Sequence, residues 1–136
     1  MIVASTGNPD GHLILRGSAQ GPNYDADSVR RAADALMQAG LAPRLIVDCS
    51  HGNSGKDYRK QSDVASCLAD QVAGGARAIC GVMLESHLVE GNQAIANERA
   101  GMRYGQSVTD ACIGWEETTR VLDILAAAVR QRRKRS

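Results

Sequence analysis

Four side chains stand where their chemistry could be used together: Arg16, His51, Glu85 and Asp110. The first three each close a short apolar run, in His12-Leu-Ile-Leu-Arg16, Arg44-Leu-Ile-Val-Asp-Cys-Ser-His51 and Ala78-Ile-Cys-Gly-Val-Met-Leu-Glu85. In parallel α/β folds the C-terminal ends of the strands point into the site. A fixed cation, an imidazole and a carboxylate at three successive strand ends suit a divalent metal and an anionic substrate. Taken singly, each residue has an ordinary reading. Arg16 could pair with an acidic neighbour at a rim, His51 could be a hydrogen-bonded loop histidine, and Glu85 and Asp110 could be solvated carboxylates or helix caps.

Imidazole with carboxylate favours Mn²⁺, Fe²⁺, Co²⁺ or Zn²⁺, whereas all-oxygen sites favour Mg²⁺ or Ca²⁺. Two ligands are too few, and the leading third is Asp110 in Ser107-Val-Thr-Asp-Ala-Cys-Ile-Gly114. The planar guanidinium of Arg16 matches a phosphate or carboxylate through two parallel hydrogen bonds and so suits substrate rather than metal. His12, opening its strand at the opposite end, reads as structural. His87, two residues beyond Glu85, is less clear and could orient a ligand from behind. The Gly52-Asn-Ser-Gly-Lys56 turn is not the GxxxxGK[ST] phosphate loop.

Three units of similar design must position these residues. The first run breaks at Gly17. A helix is then predicted from Asp25 or Asp27, with Val29, Ala32, Ala33, Leu36 and Met37 on one face and Gly40 as its stop. The second run leads through Gly52-Asn-Ser-Gly55 into a helix carrying Val64, Cys67, Leu68, Gln71 and Val72, ended by Gly74-Gly75. The third enters a long polar segment to about Gly114. A last helix follows, with Val121, Leu122, Leu125, Ala128 and Val129 at helical spacing. Apolar strands alternating with amphipathic helices predict a βαβαβα segment built on a parallel sheet. Three strands are few for a self-contained parallel sheet, and a complete (β/α)8 barrel takes about 250 residues. The chain therefore reads as part of something larger.

Composition narrows the class. With 43% hydrophobic residues over 136 positions the chain can bury one core. Having no Phe, one Trp and three Tyr, it must build that core from aliphatic side chains. Five of the 16 basic residues, Arg130, Arg132, Arg133, Lys134 and Arg135, crowd the last seven positions. Residues 1–129 hold 11 Lys and Arg against 15 Asp and Glu, which argues against a nucleic-acid surface. The basic tail is read as cations complementing the dipole of the last helix. Cys49, Cys67, Cys80 and Cys112 lack CxxC spacing and are expected to be reduced thiols of a cytoplasmic protein. Neither a signal peptide nor a membrane span is expected.

Four blocks carry a specific likeness: Gly11-His-Leu-Ile-Leu-Arg-Gly17; Val47-Asp-Cys-Ser-His51 with Asn53, Ser54 and Lys56; Gly81-Val-Met-Leu-Glu-Ser-His-Leu-Val-Glu-Gly-Asn-Gln93; and Ser107-Val-Thr-Asp-Ala-Cys-Ile-Gly-Trp-Glu116. From end to end the chain resembles class I 3-deoxy-D-arabino-heptulosonate 7-phosphate (DAHP) synthases. The resemblance implies the last three β/α units of a (β/α)8 TIM barrel, residues 1–136 being the C-terminal part of a single domain. It implies condensation of phosphoenolpyruvate with erythrose 4-phosphate to DAHP and phosphate, the first step of the shikimate pathway. By the same likeness His51, Glu85 and Asp110 match three of four metal ligands, Arg16 matches an arginine that binds phosphoenolpyruvate, and the full-length enzyme is a homo-oligomer. The fourth ligand, a cysteine near the first barrel strand, and the other Lys and Arg residues that clamp the substrates precede this segment. None of the four cysteines here takes that place. The expectation is that activity belongs to the complete barrel and that the chain alone is inactive. The alternatives are a stand-alone α/β module that binds phosphate or metal without catalysis, and a partner polypeptide that supplies the earlier strands.

Overall fold

The computed structural model describes residues 2–8, 10–95 and 101–135. Three short strands, β1 (Leu13–Leu15), β2 (Leu45–Asp48) and β3 (Ile79–Met83), form a parallel sheet in the order β1-β2-β3. Leu13, Ile14 and Leu15 pair with Leu45, Ile46 and Val47. An irregularity after Leu45 shifts the next pairing so that Asp48 lies opposite Met83. The strand ends are thereby level, which brings the residues following each strand to one rim.

Side-chain alternation gives the sheet two unlike faces. Leu15, Leu45, Val47 and Ile79 are buried on one face, under α1 (Ala26–Gln38), α3 (Gln61–Ala73) and α4 (Trp115–Arg133). From the helices come Val29 and Ala33, then Val64, Leu68 and Val72, then Val121 and Ala128. The aliphatic core expected from composition is what forms. On the other face Ile14 is half exposed, and a cavity of about 530 Å³ opens over Ile14, Ile46 and Met83. Among the described residues β1 and β3 each have one strand neighbour, so both edges of this sheet are open.

The helix boundaries follow local chemistry. Asp25 caps α1, its carboxylate accepting from the Ser28 amide at 2.9 Å and the Ser28 hydroxyl at 2.6 Å. These bonds to the charged form hold its carboxyl below the usual aspartate range. Gly40, at φ +72°, stops the helix, with the Leu41 amide closing back on the Leu36 carbonyl. Gly75, at φ +110°, ends α3 the same way through Ala76 and Gln71. Met37 and Leu122, read from the sequence as core positions, are about half exposed. They lie at the margins of their stripes, so Val29 and Ala33, and Val121 and Ala128, carry the burial. In the tail, Arg132 does more than offset a dipole. Its guanidinium donates to the Ala76 carbonyl at 2.9 Å, tying the end of α4 to the loop before β3.

The long polar segment contains structure that hydrophobic patterning missed. A two-stranded parallel ribbon joins β4 (Val89–Asn92) to β5 (Gln106–Ser107). Gln93 braces it, bonding the Arg103 backbone at both its carbonyl and amide, each at 2.8 Å. Its strands are too short and too polar to register as period-two alternation.

Gly17 and Gly52 meet where the loop after β1 crosses α2 (His51–Ser54). A Cβ on Gly52 would sit 2.7 Å from the Gly17 carbonyl carbon and 2.8 Å from the Ser18 nitrogen, both backbone atoms. Gly52→Ala is expected to cost about 1–3 kcal/mol through this overlap. Gly40→Ala strains only a positive φ in open space and is expected to cost about 1 kcal/mol. Urea unfolding midpoints at unchanged m-value rank the two variants, and a Gly52→Ala midpoint equal to wild type would show that this crossing is not tight.

Candidate metal centre

At the end of β2 the chain turns sharply. Asp48 is buried, and its Oδ1 accepts the Ser50 amide at 2.8 Å. Its Oδ2 lies 2.8 Å from Nδ1 of His51, which opens α2 with the uncommon positive φ of 48°. With Nδ1 donating to the carboxylate, Nε2 keeps its lone pair and faces the rim. Asn53 anchors the turn from below: its Nδ2 donates to the Leu15 carbonyl at 3.1 Å and the Asp48 carbonyl at 2.7 Å, and its Oδ1 accepts the Asn23 amide.

Glu85 follows β3 and is held from two sides. Ser50 Oγ donates to Glu85 Oε2 at 2.7 Å. The fully buried Gln61, first residue of α3, takes the Glu85 amide on Oε1 at 2.7 Å and donates Nε2 to the Glu85 carbonyl at 3.1 Å. Asp110 arrives from the segment after β5. The chain beyond it is stitched to the chain beyond Glu85 by Ile113 N to Glu85 O (2.9 Å), His87 N to Ile113 O (3.0 Å) and Gly91 N to Cys112 O (2.8 Å).

These supports bring one ligand atom each from His51, Glu85 and Asp110 within 4.8 Å of one another, and His51 Nε2 stands 3.6 Å from Glu85 Oε1. One imidazole and two carboxylates so close together fit a single divalent ion, which His51, Glu85 and Asp110 would hold. The donors are one imidazole and two carboxylates, with a third carboxylate behind the imidazole. This concentration of negative charge is what a divalent cation neutralises. The three residues line a small cavity of about 110 Å³ together with Ser50, Lys56 and Tyr58. Arg16, exposed just beyond β1, lines the larger cavity on the open sheet face with Asp48 and His51.

The model of the DAHP synthetase I family matches residues 1–123 of this sequence. The chain belongs to the DAHP synthetase I family. It is 51% identical over 139 residues to the phenylalanine-inhibited phospho-2-dehydro-3-deoxyheptonate aldolase of Saccharomyces cerevisiae, covering 98% of this chain and 38% of that protein. With the Phe-sensitive aldolase of Escherichia coli it shares 50% over 132 residues, covering 97% and 37%. The solved phospho-2-dehydro-3-deoxyheptonate aldolase of Francisella tularensis superposes on 97% of the chain with a TM-score of 0.89 at 45% identity, using 38% of its own length. The chain thus spans well under half the length of the DAHP synthetase I relatives it matches, and its α/β architecture of parallel strands is theirs.

Of the residues singled out from the sequence, the fold gathers His51, Glu85 and Asp110 into one cluster, with Arg16 beside His51 across the neighbouring cavity. His87 does not join them. It is exposed, and its Nδ1 accepts the amide of adjacent Leu88 at 2.8 Å, so the orienting role falls instead to Asp48, Ser50 and Gln61. Asp48 carried a signal, being a polar residue that ends an apolar run three positions before a histidine. Gln61 carried none, since its contact with Glu85 spans 24 residues of sequence. His12 is exposed at the far end of β1. The cysteines are all unpaired. Burial and then the Asp48 carboxylate push the Cys49 thiol up to about 12, and burial also raises Cys112.

Two outcomes follow. Asp48→Asn, which removes the carboxylate behind His51, is expected to weaken Mn²⁺ or Zn²⁺ binding by about 10–100-fold in a calorimetric titration. Wild-type affinity in that variant would deny Asp48 the role. In a thiol-reagent assay at pH 8, exposed Cys80 is expected to react first, and Cys49 only on unfolding. Early labelling of Cys49 in the folded chain would contradict its placement.

Proposed function

We propose that this chain forms the last three β/α units of a (β/α)8 barrel, the C-terminal part of a single domain. In the complete enzyme, phosphoenolpyruvate is condensed with erythrose 4-phosphate to give DAHP and phosphate. The observation that carries this is the convergence of His51, Glu85 and Asp110 from three separate loops at one rim of the sheet, each braced by other side chains or backbone, in a member of the DAHP synthetase I family. The open sheet face and its two open edges fit a barrel whose other strands lie outside this segment.

His51, Glu85 and Asp110 are the residues that would hold a divalent metal, among Mn, Fe, Co and Zn. When bound, such an ion supplies Lewis-acid polarisation of an aldehyde oxygen. Asp48, by accepting from Nδ1, orients His51 so that Nε2, not Nδ1, would be the metal ligand. Ser50 and Gln61 fix the Glu85 carboxylate and its backbone, which limits the reorganisation needed when charge develops. Arg16 neutralises and orients the anionic phosphoenolpyruvate against the face that His51 shares, contributing proximity as well as charge. No covalent nucleophile from this segment is required. We place the enzyme in the cytoplasm and take the full-length form to be a homo-oligomer. No helix among the described residues is long and apolar enough to cross a membrane.

A second reading draws on the buried core of Leu45, Val47, Leu68 and Val121, which the chain forms by itself. On this reading residues 1–136 are a stand-alone α/β module that binds metal or phosphate without catalysis.

A chimera separates the two. The part of the Escherichia coli Phe-sensitive relative that precedes the matched region is joined ahead of this chain. The chimera is expected to condense phosphoenolpyruvate with erythrose 4-phosphate, to lose activity on chelation, and to lose it in His51→Ala. Arg16→Ala is expected to raise the KM for phosphoenolpyruvate by about 10–100-fold, the loss of a charge-assisted contact of about 1.5–3 kcal/mol. A folded, metal-binding chimera without activity would favour the binding module.

A further inference from the structure

Among the described residues, two that are not glycine have positive φ: His51 at 48° and Lys56 at 64°. Both lie in the connection between β2 and α3, at the two ends of the short helix α2, and both line the small cavity that also holds Glu85 and Asp110. The Lys56 amide donates to the His51 carbonyl at 2.8 Å, which folds the turn back on itself, and Gly55 immediately before it is also left-handed at 61°. A lysine gains nothing from this conformation that glycine or asparagine would not give more easily. Strained backbone of this kind persists where the surroundings enforce it, and it gathers at functional sites. Here it brings a long cationic side chain to the wall of a cavity whose other polar lining residues include two carboxylates and an imidazole.

Among the described residues Lys56 has no ion pair, although Glu85 and Asp110 share its cavity. Glu85 Oε1 stands 3.6 Å from His51 Nε2, and Glu85 Oε2 accepts from Ser50 Oγ. The volume of about 110 Å³ corresponds to roughly three or four water-sized groups, room for an ion and one small oxyanion beside it. Arg16 serves a different opening, the cavity over Ile14 and Ile46, and His51 is common to both.

We propose that Lys56 is a substrate-binding residue: its ammonium holds an anionic oxygen group, phosphate or carboxylate, of the substrate that reaches the metal through the smaller cavity. This rests on the metal-centre reading above. Lysine acts here as a point charge with rotatable donors, suited to an oxyanion whose orientation is set by something else.

The test uses the chimera described above, with inorganic phosphate and Mn²⁺ as probes. Phosphate is titrated by calorimetry into wild type, Lys56→Met, Lys56→Gly and Lys60→Met, each with and without Mn²⁺, and Mn²⁺ affinity is read separately by electron paramagnetic resonance. Lys56→Met is expected to weaken phosphate binding at least 10-fold while leaving Mn²⁺ affinity within about twofold. Lys56→Gly, which relieves the backbone, is expected to lose phosphate equally and to unfold no earlier than wild type. Lys60→Met, an exposed lysine in the following turn (Tyr58–Lys60), is expected to bind like wild type. Phosphate affinity unchanged in Lys56→Met, or lost equally in Lys60→Met, overturns the inference. So does wild type that binds Mn²⁺ but no phosphate, and this leaves the metal centre standing. Wild type that binds phosphate through Lys56 but no Mn²⁺ sinks the metal centre and leaves the lysine. Wild type that binds neither overturns both.

Discussion

The arrangement depends on one buried amide. Asn53, nearly inaccessible, spans the ends of two strands and the loop between them by bonding the carbonyls of Leu15 and Asp48 and the amide of Asn23. Asn23 passes the connection on, its Oδ1 accepting the Gly17 amide at 2.8 Å. Buried backbone groups at strand ends lose water and must find partners, and an unsatisfied one costs about 1–3 kcal/mol. Here one side chain satisfies three. In doing so it sets the height at which β1 and β2 stop, and therefore where Arg16 and His51 begin. The contact of Gly17 with Gly52 is the steric counterpart, because only residues without a Cβ let the two loops approach this closely.

Above that knot the polar groups are stacked in layers. Asp48 stands behind His51, Ser50 and Gln61 stand behind Glu85, and the backbone ladder between residues 85–91 and 112–113 carries Asp110. Among the described residues no buried side-chain nitrogen or oxygen lacks a partner. A network this complete holds its members in place, whereas a half-satisfied one would penalise the fold. Its outermost members, His51, Glu85 and Asp110, are those with capacity left over.

What the sequence showed and what it hid have a common cause. Strand ends, helix stops and the types of side chain at the rim are local properties, so Gly40, Gly74-Gly75, Asp25 and the rim positions of Arg16, His51 and Glu85 could be read from spacing, although β2 stops at Asp48 and His51 opens α2 rather than ending the strand. The α/β class followed from the same periodicity. Contacts that join distant positions left no such trace: Gln61 to Glu85, Asn53 to Leu15, Arg132 to Ala76. The β4–β5 ribbon was hidden because its cohesion is backbone and glutamine hydrogen bonding rather than apolar alternation. His87 misled for the opposite reason, since nearness in sequence to Glu85 suggested a contact, whereas Ser86 bridges to Ile113 and His87 beyond it is exposed to solvent.

The open face of the sheet mixes two kinds of residue over a single cavity, the apolar Ile14, Ile46 and Met83 and the ionic Arg16, Asp48 and His51. Covering such a surface removes water from both at once. The aliphatic groups gain transfer free energy, while the effective dielectric constant around the guanidinium and the imidazole–carboxylate pair falls, strengthening each charge interaction. Cohesion of the architecture and potency of its electrostatics are thus tuned by the same few atoms. Where that face is covered, a substitution at Ile14 or Ile46 chosen to improve solubility would also rewet Arg16, coupling durability to chemistry along it.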